Sequence, residues 1–298
     1  MFKNFYDLCG AFVRPSMYCK RIYLFLFLFI LTGYSCQTDR SDNNSGQELN
    51  ATTESERLLD EKPFLMALES LRKDPSLKNG SLGYLVVDIT TKDPVILADY
   101  RSKRPMIPAS TLKIFVTAAA LDILGKEIIP EVTITNQMSV NWRSSKILRK
   151  IGGRMTKTAT TQGGVKAILD YWENKGVDIH GMNFYDGNGL SRKNAISPKQ
   201  LVDALYVMRT SPNFKYFYES LPVAGLTGTL HKAMKGTVAE GRVRAKTGTI
   251  SKVKSFAGYI TTVSGRKLIF SLLVNDFDGR SKLMKKKLET VLVNMAAI

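Results

Sequence analysis

Thiols are nearly absent from this 298-residue chain, and the three present, Cys9, Cys19 and Cys36, all fall within the first 36 residues. Everything after Cys36 therefore has no disulfide framework, no Cys-ligated metal site and no Cys nucleophile. Imidazole is scarcer still. His180 and His231 stand alone with no partner at metal-ligand spacing, so no metal site is expected, and a Ser-His-Asp triad would have only these two candidate bases. The one long apolar run, Ile22 to Leu31, is shorter than the roughly 18 to 20 residues needed to cross a bilayer. No internal repeat is visible. The 44% apolar and 23% charged composition that remains is that of an ordinary packed protein, which rules out wholesale disorder and fibrous architecture.

Acidic residues are also few, 26 against 43 basic ones, for a formal charge of +17. Such a balance favours anionic partners, among them nucleic acid, anionic lipid and cell-wall polymer, and says nothing about fold. The apolar run follows Lys20 and Arg21 and precedes small residues, the layout of a signal peptide over residues 1–36, with Met1 or Met17 as the start. Gly33-Tyr34-Ser35-Cys36 resembles a bacterial lipobox, with Ser35 fitting and Gly33 standing where Leu is usual. Lipidation at Cys36 and a membrane anchor are expected, against plain cleavage and secretion. Residues 37–57, rich in Asp, Asn, Ser, Thr and Gln, read as a flexible tether to a single folded domain over 58–298. Export takes the chain away from nucleic acid, so Lys285-Lys286-Lys287 reads as a solvated helix face or an anionic-surface contact.

Helical spacing of Phe64, Leu65, Leu68 and Leu71 leads into a strand over Tyr84 to Ile89, a turn at Lys92-Asp93-Pro94 and a second strand over Val95 to Tyr100. A long helix, Thr111 to Leu124, closes at Gly125, and helical patterns return at Trp142 to Ile151, Gly164 to Asn174 and Pro198 to Met208. Phe256 to Val263, a Ser264-Gly265 turn and Leu268 to Val274 form a hairpin, and Arg280 to Met295 a closing helix. Strands at both ends with helices between them predict an α+β fold. In it, one antiparallel sheet is built from residues of about 58–125 and 236–298, with a helical subdomain inserted over about 126–235.

Ser110 and Lys113 are three residues apart at the start of a helix, hence on one face. Lys113 is the only charge from Ser110 to Leu121, a stretch apolar all round and so buried all round. Burial lowers a lysine pKa, which an amine needs if it is to take a serine proton at neutral pH, and the helix N-terminus offers N–H groups to an oxyanion. The bland alternative is an N-cap serine with a snorkelling lysine. The same spacing recurs at Ser70/Lys73, Ser251/Lys254 and Ser264/Lys267, on a polar helix face, in or near a strand and at a hairpin turn, where it carries no such context. Lys246-Thr247-Gly248-Thr249, just before the Phe256 strand, offers a cation and hydroxyls to a carboxylate, and Gly248 would let a ligand approach the backbone of an edge strand.

Ser110-x-x-Lys113 followed by Lys246-Thr247-Gly248 resembles the penicillin-binding protein and serine β-lactamase superfamily, whose third motif is Ser-x-Asn. Ser41-Asp42-Asn43 lies on the wrong side of the nucleophile, and Ser211-Pro212-Asn213 looks like a turn. Ser139-Val140-Asn141, just ahead of a helix, is the choice, although both of its polar residues would also serve as N-caps. Asp186-Gly187-Asn188-Gly189-Leu190-Ser191-Arg192, Leu221-Pro222-Val223-Ala224-Gly225 and Gly228-Thr229-Leu230 occur in the order seen in D-alanyl-D-alanine carboxypeptidases of the dual carboxypeptidase/endopeptidase type. This chain resembles a shortened form of them, because only 25 residues separate Lys113 from Ser139 where familiar members carry a large insertion. It also departs after Asn141, at Trp142-Arg143-Ser144-Ser145, and at Asn188, which stands where Ser is usual.

The resemblance implies a β-lactamase/transpeptidase-like fold and a serine carboxypeptidase of peptidoglycan stem peptides that needs no cofactor, is inhibited covalently by β-lactams and works on the periplasmic side of a bacterial membrane. Ser110 would be the nucleophile, Lys113 its base and Ser139 a proton relay. Asn141 would hold a substrate amide, and Lys246 and Thr247 the terminal carboxylate. The N–H groups of Ser110 and Thr249 would form the oxyanion hole beside Gly248. Asp186 and Ser191 read as structural residues of their loop. A β-lactamase is the enzymatic alternative, weakened because Glu173, Glu219, Glu240 and Glu289 lack an Asn four residues on. A catalytically silent peptidoglycan-binding lipoprotein is the alternative of another class.

Overall fold

Near-continuous apolar runs in the central strands, whose successive side chains point to opposite faces, give the sheet two greasy faces, and the helices divide between them. The structure, a computed structural model, describes residues 61–298. The expected signal peptide, Cys36 and tether lie outside these residues. Helix α1 covers residues 61–72. Strands β1 (Ser81–Asp88) and β2 (Val95–Tyr100) follow, then helices α2 (Lys113–Leu124), α3 (Ile129–Met138), α4 (Asn141–Met155), α5 (Thr161–Asn174), α6 (Pro198–Met208) and α7 (Phe214–Ser220). Strands β3 (Val243–Ile250), β4 (Val253–Thr261) and β5 (Lys267–Asn275) and helix α8 (Ser281–Ala297) complete the chain.

The sheet is antiparallel throughout, in the order β2-β1-β5-β4-β3. Both ends of the sequence meet at its centre, where Ser81 pairs with Asn275 and Asp88 with Leu268. One face, with Tyr84, Val86, Phe256, Phe270 and Leu272, packs with Leu68 of α1 and with Leu288 and Leu292 of α8. The other, with Leu85, Val87, Tyr259, Ile269 and Leu273, packs with α2, α4, α5 and α6. The α+β prediction matches this three-layer arrangement, with β3 as an edge.

Helix α2 lies inside the helical layer with nine consecutive buried residues from Lys113 to Leu121. Its first turn differs from the predicted α-helix: Ala109–Leu112 is 3-10, and α-helical bonding begins at Lys113. Pro198 at the first position of α6, with a reciprocal Ser197–Gln200 capping box, explains why that helix starts where the sequence places it. Helices α3 and α7 lay outside the predicted set.

Candidate active site

The N-terminal turn of α2, the α3–α4 corner, strand β3 and the 186–191 loop converge on one cleft. Ala109, immediately before Ser110, has φ +48°, and Ser139, at the C-terminus of α3, has φ +55°. Left-handed backbone at non-glycine residues is costly and is held only where the surroundings over-determine it. Here it falls on Ser139 itself and on the residue just before Ser110, the two serines that line the cleft. The capping alternatives fail for both motifs. Pro108 occupies the N-cap of the 3-10 turn and Val140 that of α4, neither with a side-chain cap bond, and Lys113 is fully buried and therefore does not snorkel.

Lys113 Nζ lies 2.7 Å from Ser110 Oγ and donates to Asn141 Oδ1 at 2.9 Å and to the carbonyl of Asn188. Burial draws its pKa down from 10.5 to about 8, against the opposing attraction of Asp186. The like-charge effect falls on Lys246, which is completely buried, and whose pKa is pushed well below the usual lysine value by desolvation and then by Lys113. Lys246 Nζ donates to Ser139 Oγ at 3.0 Å and to the carbonyl of Thr247 at 3.3 Å, bridging the α3–α4 corner to β3.

Asp186 holds the loop that supplies the Asn188 carbonyl. Its carboxylate accepts from the backbone N–H groups of Asn188, Gly189 and Ser191 and from Asn194 Nδ2. Gly189, at φ +83°, packs so closely on the turn before Ser110 that an added Cβ would sit 2.0 Å from the Ala109 carbonyl oxygen. Asn188 Nδ2 bonds Ser145 Oγ at 3.0 Å, so the two departures from the family pattern, in the loop and after Asn141, contact each other. Gly248 is explained differently from expectation. A Cβ there would meet Ser255 Oγ at 2.1 Å and the Pro108 carbonyl at 2.7 Å, so its bare backbone admits the nucleophile turn against β3.

The cleft, about 320 Å³, is lined by Ser110, Ser139, Thr229, Thr247, Gly248, Thr249, Lys254, Phe256 and Lys285. Thr247 Oγ1 donates to Thr229 Oγ1 at 3.0 Å. The sequence reading missed Thr229 as a site residue, although its Gly228-Thr229-Leu230 motif was in view. It also sets Lys254 aside with the Ser251/Lys254 coincidence and leaves Lys285 on a solvated helix face or at an anionic-surface contact. Lys285, still 37% exposed, forms an ion pair with Glu289 at 3.3 Å and stands at the cleft. Both histidines are exposed, and Ser110 Oγ is partnered by Lys113 and the Asn188 carbonyl, so the triad alternative has no geometric support. Among the described residues no group of three or more His, Cys, Asp or Glu is placed to hold a metal ion.

A family model described as D-Ala-D-Ala carboxypeptidase 3 (S13) matches residues 65–129 and 126–297. A D-alanyl-D-alanine carboxypeptidase of Actinomadura sp. is 30% identical over 220 residues, 72% of this chain and 36% of its own length. Carboxypeptidase DacB of Mycolicibacterium smegmatis is 31% identical over 144 residues, 46% of this chain and 31% of its own. The chain thus spans about a third of the length of these curated relatives. Among solved structures, penicillin binding protein 4 of Haemophilus influenzae in complex with a β-lactam superposes with a TM-score of 0.67 at 14% identity, covering 77% of this chain and 98% of that one. The TLA-3 extended-spectrum β-lactamase superposes at 0.60 and 16% identity, over 78% and 97%. At these identities the likeness concerns the fold.

Proposed function

Because the chain belongs to the D-Ala-D-Ala carboxypeptidase 3 (S13) family, we propose that it is a serine-type D-Ala-D-Ala carboxypeptidase/endopeptidase of peptidoglycan stem peptides, working through an acyl-enzyme on Ser110. The observation that carries this reading is the fully buried Lys113 amine, 2.7 Å from Ser110 Oγ, with a pKa of about 8. A buried amine that is readily neutral at such a distance is the base a serine hydroxyl lacks.

In the first step Ser110 Oγ attacks the carbonyl of the penultimate D-Ala while its proton passes to Lys113. The oxyanion is received by the N–H groups of Ser110 and Thr249. Ser139, hydrogen-bonded to Lys246, hands its proton to the departing D-Ala nitrogen as the C–N bond breaks and takes up in exchange the proton that Lys113 received, which leaves Lys113 neutral for the next step. Thr247 engages the terminal carboxylate with Lys246 behind it, and Asn141 turns its amide N–H groups toward the substrate while its oxygen receives Lys113. Water then attacks the Ser110 ester, the proton returns through Lys113, and the acid product leaves. A β-lactam enters the same first step, and its acyl-enzyme persists because the opened ring stays attached.

The reading extends to location: Cys36 carries a lipid anchor after signal-peptide removal, and the catalytic domain faces the peptidoglycan on the periplasmic side. This rests on the lipobox-like Gly33-Tyr34-Ser35-Cys36. Among the described residues no helix is long and apolar enough to cross a membrane.

The deciding experiment incubates the full chain with benzylpenicillin and follows intact mass, alongside release of D-Ala from a pentapeptide. A stoichiometric adduct that disappears in Ser110→Ala, together with D-Ala release, is expected. No adduct and no D-Ala would leave the binding-lipoprotein reading in its place, and rapid turnover of the penicillin would make it a β-lactamase.

A further inference from the structure

Lys246 is poorly placed to touch a ligand. It has no exposed surface, its Nζ is committed to Ser139 Oγ and the Thr247 carbonyl, and it is not among the residues that line the cleft. Lys254 does line it, together with Ser110, Thr247 and Thr249. Its position follows from the hairpin register: Lys254 on β4 is the direct partner of Thr249 on β3, and its Nζ donates to Thr249 Oγ1 at 2.8 Å. That bond uses one hydroxyl lone pair and leaves the Thr249 O–H free to be given to an acceptor in the cleft. Lys285, 37% exposed, adds a second cation from α8, partly offset by Glu289 at 19% exposure.

We propose that Lys254, acting through its ammonium and the Thr249 hydroxyl, is the cation that holds the substrate's terminal carboxylate. The assignment rests on the acyl-enzyme reading above and adds to it a determinant of specificity for free carboxylates. A bland structural role for Lys254 accounts for the Thr249 bond but not for a lysine, only 7% exposed, at the wall of a cleft beside a nucleophile. Burial and then Lys285 lower the pKa of Lys254 while Glu289 opposes them, and a carboxylate bound beside it would favour the ammonium again.

The test uses two acylating agents that differ only in the group concerned, benzylpenicillin and its methyl ester, with the rate of adduct formation on the full chain followed by intact mass. The quantity of interest is the ratio of the acid rate to the ester rate. Losing a charge-assisted contact to a carboxylate costs about ten- to a hundredfold. The ratio should therefore fall by at least about tenfold in Lys254→Ala and be largely restored in Lys254→Arg. A misfolded variant loses both rates together and is recognised by that. An unchanged ratio in Lys254→Ala, with both rates measurable, overturns the assignment and leaves the Ser110 chemistry intact. If the unaltered chain forms no adduct with either compound, the acyl-enzyme reading itself fails and takes this one with it.

Discussion

A neutral Lys113 has two N–H groups and one lone pair, and its three neighbours fit that count. Asn141 Oδ1 and the Asn188 carbonyl can only accept, so they take both N–H groups and direct the lone pair at Ser110 Oγ. In the ammonium form the third direction carries a proton and Ser110 cannot be deprotonated. With a pKa lowered to about 8, the competent fraction grows as pH rises. The rate of adduct formation by penicillin should therefore increase roughly tenfold per unit below about pH 7 and level off above about pH 8. A profile flat from pH 6 to 9 would exclude Lys113 as the base. Lys113→Arg, permanently charged, should lose about 10² to 10⁴ in rate at every pH, measured by the same assay. The linkage has a stability side as well: a depressed lysine pKa means the unfolded chain binds more protons between about pH 8 and 10.5, so the fold gains stability across that window and not below it.

At the scale of elements, the site depends on close approach. The 186–191 loop, tied down by Asp186, presses Gly189 against the Ala109 carbonyl, and β3 presses Gly248 against the Pro108 carbonyl, so the nucleophile turn is held from two sides. Gly189→Ala would add left-handed strain to a 2.0 Å clash with backbone, a loss of about 2 to 4 kcal/mol. Urea unfolding should show it, along with slower acylation; wild-type stability with normal acylation would mean the loop does not brace Ser110. These dependencies also explain what the sequence disclosed. Ser110 and Lys113 were legible because one helical turn carries both and the helix around them has no other charge. Helix α3 was not, because Val132, Thr133, Ile134 and Thr135 are β-branched and its burial rests partly on Thr135 and Asn136. Lys254 and Lys285 were illegible for another reason. Their meeting depends on the register of β3 against β4 and on where α8 crosses β4, and no local spacing records that.

Charge is a property of the whole molecule, and it is unevenly distributed. The first 60 residues hold six basic and seven acidic side chains, so the entire excess of +17 belongs to residues 61–298. Pairing trims it locally, as with Lys287 to Asp74 and Arg192 to Asp276, but leaves a folded domain with a strong positive field. Peptidoglycan is an anionic polymer, so that field should raise the encounter rate with the polymer far more than with a small peptide carrying one carboxylate. Raising ionic strength from about 0.1 M to 1 M shortens the screening length from about 10 Å to about 3 Å, which removes long-range attraction and spares contacts inside the cleft. Apparent kcat/KM on intact peptidoglycan should consequently fall several-fold over that range, while the value on a soluble pentapeptide changes much less. Equal salt sensitivity for both substrates would place the electrostatics in the cleft, at Lys254 and Lys285, and deny the domain surface any part in capturing the polymer.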